Sequence, residues 1–277
     1  MPKLLPAGAK EAFGRDGYWF PVRVMAAGEA AGYRARLEAY ERAAGGPIAS
    51  NMRHKVHLLF IWANELVRHS RILDAVEDLI GPDLLCWTTN FFIKEARDPA
   101  FVSWHQDSTY WGLEPHDIVT AWVALTDAPV ESGAMNFLPG SHQRDQIPHR
   151  DTHHKDNLLT RGQEVAVDVD ERQAIDVALK AGEVSLHHIR LVHGSKPNTT
   201  LNRRIGLAIR YIPTYVRQTK VADSAMLVRG VDHHGNFEPE PAPAADLDPA
   251  AVAAHQRVME KQIATYYSGT DIKVARK

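Results

Sequence analysis

The chain has 277 residues, 44% of them hydrophobic and 24% charged, and 32 Lys+Arg against 34 Asp+Glu leave a formal charge of −2. This is ordinary globular composition, enough for one large domain with a substantial core or two small ones, and the missing basic excess argues against a nucleic-acid partner. A single cysteine, Cys86, excludes an intrachain disulfide and fits a reducing compartment. The start lacks the apolar core of a signal peptide and the run near Val56–Trp62 is too short for a bilayer, so a soluble, cytoplasmic protein without a membrane partner is expected.

In chain order, Glu29–Ala44 is rich in Ala, Glu, Arg and Leu and predicts a surface helix stopped by Gly45-Gly46. A second helix is predicted over Lys55–His69, with Leu58, Trp62 and Leu66 at helical spacing, and a third over Ile72–Ile80, ending at Gly81-Pro82. From Leu84 the texture changes to short β-branched and aromatic segments: Cys86–Lys94, Ile118–Thr126, Ala134–Leu138, Gly182–Leu186 and Ile205–Ile212. Turn signals such as Ser132-Gly133 and Pro139-Gly140 separate them, which predicts a mainly β sandwich or barrel with flanking helices. His149–Asn157 is a polar stretch expected to be a mobile loop. Glu238–Pro249 is a Pro/Ala/Asp linker to a closing helix near Ala250–Tyr266, with Tyr267 continuing its apolar stripe. The whole is read as one domain over 1–277, with a helical section 1–83, a β core 84–215 and a C-terminal linker and helix 216–277.

Fifteen histidines invite a search for metal or acid–base chemistry. Trp104-His105-Gln106-Asp107 is the informative segment. On a strand, positions i and i+2 share a face, so His105 and Asp107 can aim at one point. Imidazole plus carboxylate is two thirds of the facial triad that holds iron(II) with positions left open. Trp104, Tyr110 and Trp111 suit a lined pocket. Further on, Leu191-Val-His193-Gly-Ser195 precedes Arg203–Arg210, in which Arg204, Gly206, Ala208 and Arg210 alternate with Ile205, Leu207, Ile209 and Tyr211. The second set is a core face. The first carries two guanidinium forks, which bind carboxylates, around small residues that leave volume for a ligand. Arg210 is expected to take an acid group of the substrate.

His105-Gln-Asp107, Trp122, Ser132-Gly133, Leu138-Pro-Gly-Ser-His142 and His193-Gly-Ser195 with Arg204 eleven positions on together resemble the phytanoyl-CoA dioxygenase family. The resemblance covers roughly 13–214 and includes Asp16-Gly17-Tyr18. It implies a double-stranded β-helix (jelly roll, cupin-like) core and an Fe(II)- and 2-oxoglutarate-dependent dioxygenase, with O2 consumed and ascorbate as assay reductant. His105, Asp107 and His193 would be the metal ligands. Arg204, with Ser195 beside it, would anchor the distal carboxylate of 2-oxoglutarate, and Trp122 would wall the co-substrate. Lys94 matches a family lysine near the co-substrate, and Asn90 shares its strand face. Related halogenases carry a small residue where Asp107 stands, so hydroxylation of a small-molecule substrate is favoured over halogenation.

His188, five positions before His193, is read either as a substrate contact or second partner of a ligand, or as a histidine satisfied in the core. His149, His153 and His154 are read as part of a solvated loop rather than a second metal cluster. Substrate identity and oligomeric state are left open; a CoA ester would need a cationic rim, for which Arg144, Arg150, Lys155 and Arg161 are candidates. Two other classes compete: a β-helix protein that binds a metal or small carboxylate without catalysis, and another metal-dependent barrel enzyme that would not need Arg204.

Overall fold

The computed structural model describes residues 2–152, 154–159 and 162–266. Two antiparallel sheets face each other. The larger runs Tyr18–Arg23, Glu183–His188, Val119–Ala124, Arg204–Pro213, Leu84–Lys94 and Ser224–Arg229, with Glu238–Pro239 added in parallel at the far edge. The smaller runs Val102–His105, His193–Ser195, Met135–Phe137 and Ile175–Val177. This is the jelly-roll architecture implied by the motifs.

Period-2 alternation decides what each face of the large sheet does. Val119, Ala121, Val123, Val184, Leu186, Ile205, Leu207, Ile209 and Tyr211 turn outward into the main core. Helices Ala27–Ala44, Ile61–Val67 and Ser70–Ile80 cover that face with Leu37, Trp62, Leu66, Ile72, Val76 and Leu79. Each such side chain stabilises the fold by about 1.5–3 kcal/mol relative to exposure. The Tyr211 hydroxyl, buried among them, donates to the Val67 carbonyl at 2.9 Å. The inner face is left for the site.

The sequence expectations hold for the first helix, which ends with Gly45 at φ 74, and for the third, Ser70–Ile80. The predicted helix over Lys55–His69 is broken into a 3-10 turn, Val56–Leu58, and a helix, Ile61–Val67. Phe60, extended at φ −130 and ψ 132, separates the two pieces, and Lys55, at φ 45 before the first, turns its side chain inward to the Ser224 carbonyl, 2.9 Å away, and to Glu240. The N-terminal section also contributes Tyr18–Arg23 to the large sheet. Short and interrupted by Pro21, this strand is confined to an edge and has little period-2 signal. Likewise Ser224–Arg229 and Glu238–Pro239 extend the same sheet beyond residue 215. Of the segment expected to be a loop, His149–Asp151 is instead a strand paired with Gln163–Val165, and no strand follows among the described residues up to Asn157. The closing helix is Pro249–Tyr266, and Tyr267 lies outside the described residues. No helix among the described residues is long and apolar enough to cross a membrane.

Candidate metal centre and co-substrate pocket

His105 ends the Val102–His105 strand, and directly opposite it in register stands His193 at the start of its own strand. Their rings lie 4.1 Å apart between centroids. Asp107 is not on the strand, contrary to the i, i+2 expectation: the chain turns at Gln106, and Asp107 opens the helical turn Ser108–Trp111 with φ −62 and ψ −32. Gln106 makes the turn rigid. Its side-chain amide donates to the Arg190 carbonyl at 2.8 Å, its Oε1 accepts from Ile147 N at 2.8 Å, and its own N–H donates to His149 Nε2 at 2.9 Å. So His149 belongs to the support of the ligand loop, and burial lowers its pKa to about 4. His154 packs on Phe101 instead, and His153 lies outside the described residues.

Backbone carbonyls set the tautomers. His105 Nδ1 faces the carbonyls of Ser103 (2.9 Å) and His193 (3.0 Å), and His193 Nδ1 faces that of Leu191 (2.9 Å). A carbonyl only accepts, so each Nδ1 carries the proton and each Nε2 presents a lone pair. His105 Nε2 then lies 3.4 Å from Asp107 Oδ1 with no proton between them, and Asp107 Oδ2 is buried without a partner. The ligand atoms of His105, Asp107 and His193 all fall within 4.8 Å of one another. Burial alone would raise the Asp107 pKa, but the charge of Arg210 works against it, and the carboxyl lies well below the usual range. Burial, with His105 alongside, lowers His193 to about 4. Three buried electron-pair donors converging without a shared proton fit a divalent cation, and the two-nitrogen, one-oxygen set fits iron(II).

The Leu138–His142 motif holds this arrangement from behind. Leu138 N donates to the Val192 carbonyl at 3.0 Å, and Ser141 Oγ accepts from Val192 N at 2.9 Å while donating to Leu138 O at 2.7 Å. The strand that delivers His193 is thereby clamped at its entry.

Arg204 lines the same cavity as His105 and His193, together with Ser195, Trp122, Ala208 and Arg210. It is 2% exposed, donates to the Gly133 carbonyl, leaves Nε unpartnered, and meets no carboxylate among the described residues within ion-pair distance. Burial lowers its pKa to about 10, so it stays cationic. Its guanidinium carbon lies 5.3 Å from the Trp122 ring centre. The indole also corrects the idea that Gly206 leaves ligand volume: a Cβ there would sit 1.9 Å from Trp122 Cζ2, so the glycine makes room for tryptophan. The Ser132-Gly133 turn has a similar reason, because a Cβ on Gly133 would meet the Lys196 carbonyl at 2.1 Å.

Other sequence-proposed positions are placed differently. Lys94 pairs in register with Arg204 but stands behind the cavity wall, its Nζ donating to Ser195 Oγ at 2.7 Å and to the Lys196 carbonyl. Burial and the Arg204 charge lower its pKa to about 6. Asn90 shares this face, opposite Ala208, and is half-buried without lining the cavity. Arg210 lies under Trp111 (5.2 Å) and Phe92 (5.8 Å), with a terminal nitrogen 4.0 Å from Asp107 Oδ2, so its nearest acid is the ligand carboxylate. Trp104 turns to the outer surface, donating to Glu171 at 3.3 Å, and the Tyr110 side chain lies outside the described residues.

His188 is the clearest correction. Its Nδ1 accepts from Arg190 N at 3.1 Å and its ring packs on His142 (5.2 Å) and Phe13 (6.4 Å), away from the metal ligands. His187 lines the cavity instead, 4.8 Å from the His193 ring and 5.1 Å from Phe137. The signal was present: Val184 and Leu186 mark the core face, which turns Ser185 and His187 inward.

Residues 13–206 match the family model described as phytanoyl-CoA dioxygenase. The chain belongs to the phytanoyl-CoA dioxygenase family. As a member it is a 2-oxoglutarate-dependent dioxygenase. Among solved structures, the chain is similar to the non-heme monooxygenase ThoJ, at 40% identity and TM-score 0.81 over 92% of this chain and 98% of that one. It also resembles a probable alpha-ketoglutarate-dependent hypophosphite dioxygenase from Stutzerimonas stutzeri, 30% identical over 66% of this chain and 60% of that protein's length. L-proline trans-4-hydroxylase from Streptomyces griseoviridis is 26% identical over 73% of this family member and 85% of its own length. CytC3 with Fe(II) and alpha-ketoglutarate shares the fold, at 23% identity and TM-score 0.67 over 90% and 99% of the two chains.

Proposed function

We propose that this dioxygenase hydroxylates a C–H bond of a small-molecule substrate, with His105, Asp107 and His193 holding iron(II) and Arg204 holding 2-oxoglutarate. The observation that carries this reading is the convergence of three buried lone-pair donors beside a buried arginine that has no acid of its own. When bound, iron(II) supplies the oxidising chemistry that couples O2 and 2-oxoglutarate to one oxygen atom in the product, one in succinate, and CO2.

The chain's own residues do the rest. The carbonyls of Ser103, His193 and Leu191 lock both imidazoles in the tautomer that leaves Nε2 free. Arg204 presents a charged fork to the distal carboxylate of the co-substrate, with Ser195 and the Trp122 indole bounding it. Lys94 acts through Ser195. Burial of every one of these groups excludes bulk water. The carboxylate at position 107 supports hydroxylation over halogenation. Relatives named for proline, ectoine and hypophosphite support a small polar substrate. The CoA-rim idea loses Arg150, which is paired with Glu164 at 2.8 Å, and Arg161 lies outside the described residues.

The test is succinate formation from 2-oxoglutarate with Fe(II), ascorbate and O2, without added substrate, compared with His105→Ala. Slow uncoupled turnover that disappears in the variant is expected. Absence of both succinate and metal-dependent 2-oxoglutarate binding would overturn the reading in favour of a non-catalytic binding protein.

A further inference from the structure

His187 is 1% exposed and neither ring nitrogen has a partner. A neutral imidazole always has one N–H to give and one lone pair to receive. The residue is part of a row. Across adjacent strands His187 pairs in register with Thr120, and Thr120 with Arg210. Thr120 Oγ1 and Arg210 Nε are buried and unpartnered as well.

This row borders the metal ligands: the His187 ring is 4.8 Å from that of His193, and Arg210 reaches to 4.0 Å from Asp107. Arg204 lies six residues along the same strand from Arg210, towards the other end of the cavity. A five-carbon diacid held at Arg204 and reaching the His105–Asp107–His193 cluster would end beside this row, which lines the same cavity. Among cavity-lining side chains of the described residues, the buried donors without partners belong to His187, Thr120, Arg204 and Arg210. Arg204 is committed to the distal carboxylate and Arg210 faces Asp107, which leaves His187 and Thr120.

We propose that His187, with Thr120 beside it, binds the carboxylate adjoining the keto group of 2-oxoglutarate, through hydrogen bonds from the imidazole N–H and the threonine hydroxyl. The inference rests on the oxygenase reading and assigns the second carboxylate subsite of that cavity. It makes His187 a binding residue for the co-substrate and gives the ring the partner it lacks.

The experiment is an anaerobic titration of the Fe(II) form with 2-oxoglutarate, followed by its weak charge-transfer absorbance. Inhibition by levulinate, in which a methyl group replaces that carboxylate, is measured in parallel. His187→Phe is expected to weaken 2-oxoglutarate binding by about tenfold or more, the loss of a hydrogen bond to a charged group. Levulinate affinity and Fe(II) affinity should stay within about twofold, because neither uses that bond. His187→Gln, which keeps a donor, should recover most of the loss. Thr120→Val, which preserves shape, should show a smaller loss with the same selectivity and serves if His187→Phe does not fold. Equal weakening of levulinate, or unchanged 2-oxoglutarate affinity in both His187→Phe and Thr120→Val, overturns the assignment while leaving the oxygenase reading intact. A wild-type Fe(II) form that binds no 2-oxoglutarate overturns both.

Discussion

The strand Leu84–Lys94 separates two buried polar clusters of opposite character. On its outer side Lys55, His57 and Glu240 are sealed in the core with every polar atom matched. Lys55 bonds Glu240 and the Ser224 carbonyl, His57 bonds Thr89 and Glu240 at 3.1 Å each, and Ser224 Oγ donates to Glu240 at 2.7 Å. On its inner side the metal-centre cluster leaves Asp107 Oδ2, both His187 nitrogens, Thr120 Oγ1 and one nitrogen each of Arg204 and Arg210 without partners. Burial is nearly the same in both; satisfaction is not. An unsatisfied buried polar atom is expensive, so a group of them on one cavity wall means that the missing partners come from bound ligands. A closed, fully paired cluster only holds chain segments together, here the Glu238–Pro239 edge against the Val56–Leu58 turn.

Substitutions on the two sides should therefore fail in different ways. Asp107→Ala is expected to reduce succinate formation by about a hundredfold or more, because a direct ligand matters more than the groups that orient one. Near-normal turnover in that variant would remove Asp107 from the metal. Glu240→Gln leaves the Lys55 charge buried opposite a neutral amide and should cost about 3–5 kcal/mol in a urea melt. The folded fraction should still bind 2-oxoglutarate normally, and lost affinity there would mean that the two clusters are coupled. Gly206→Ala drives a Cβ into the indole of Trp122 and should cost about 1–3 kcal/mol. It should also weaken 2-oxoglutarate binding through displacement of the ring, whereas stability lost with affinity retained would show that the indole does not wall the co-substrate.

A further effect, seen only as a dependence on pH, concerns Lys94, whose pKa burial and Arg204 lower to about 6. Between that value and the unfolded one near 10.5 the unfolded chain holds the extra proton, so stability rises with pH across the window. The penalty is greatest below pH about 6, where the folded chain must carry the charge. Lys94→Met should flatten the dependence of the melting temperature on pH above 6.5. An unchanged slope would show that Lys94 is not the group responsible.

Much of the site could be read along the chain because its parts obey strand periodicity. Arg204, Ala208 and Arg210 alternate cleanly with core residues, as do Thr120 and Trp122, and the structure keeps both alternations. Where periodicity ends, position along the chain no longer tells which way a residue points. Asp107 reaches His105 and His193 through a turn pinned by Gln106. His187 and His188 differ only in which way a strand residue points, and sequence distance to His193 favoured the one that faces away.

The sequence by itself determined the strand faces, the helix stops at glycine, the donor types at positions 105, 107 and 193, and the family. These depend on neighbouring residues and on side-chain chemistry, both written locally. Only the tertiary structure decided that Lys94 stands behind Ser195, that Trp122 fills the space over Gly206, that Lys55 turns inward to Glu240, and that His187 joins the cavity wall. Each of those outcomes depends on what distant segments place against a residue, and a buried charge or an unpaired nitrogen takes its role from those partners.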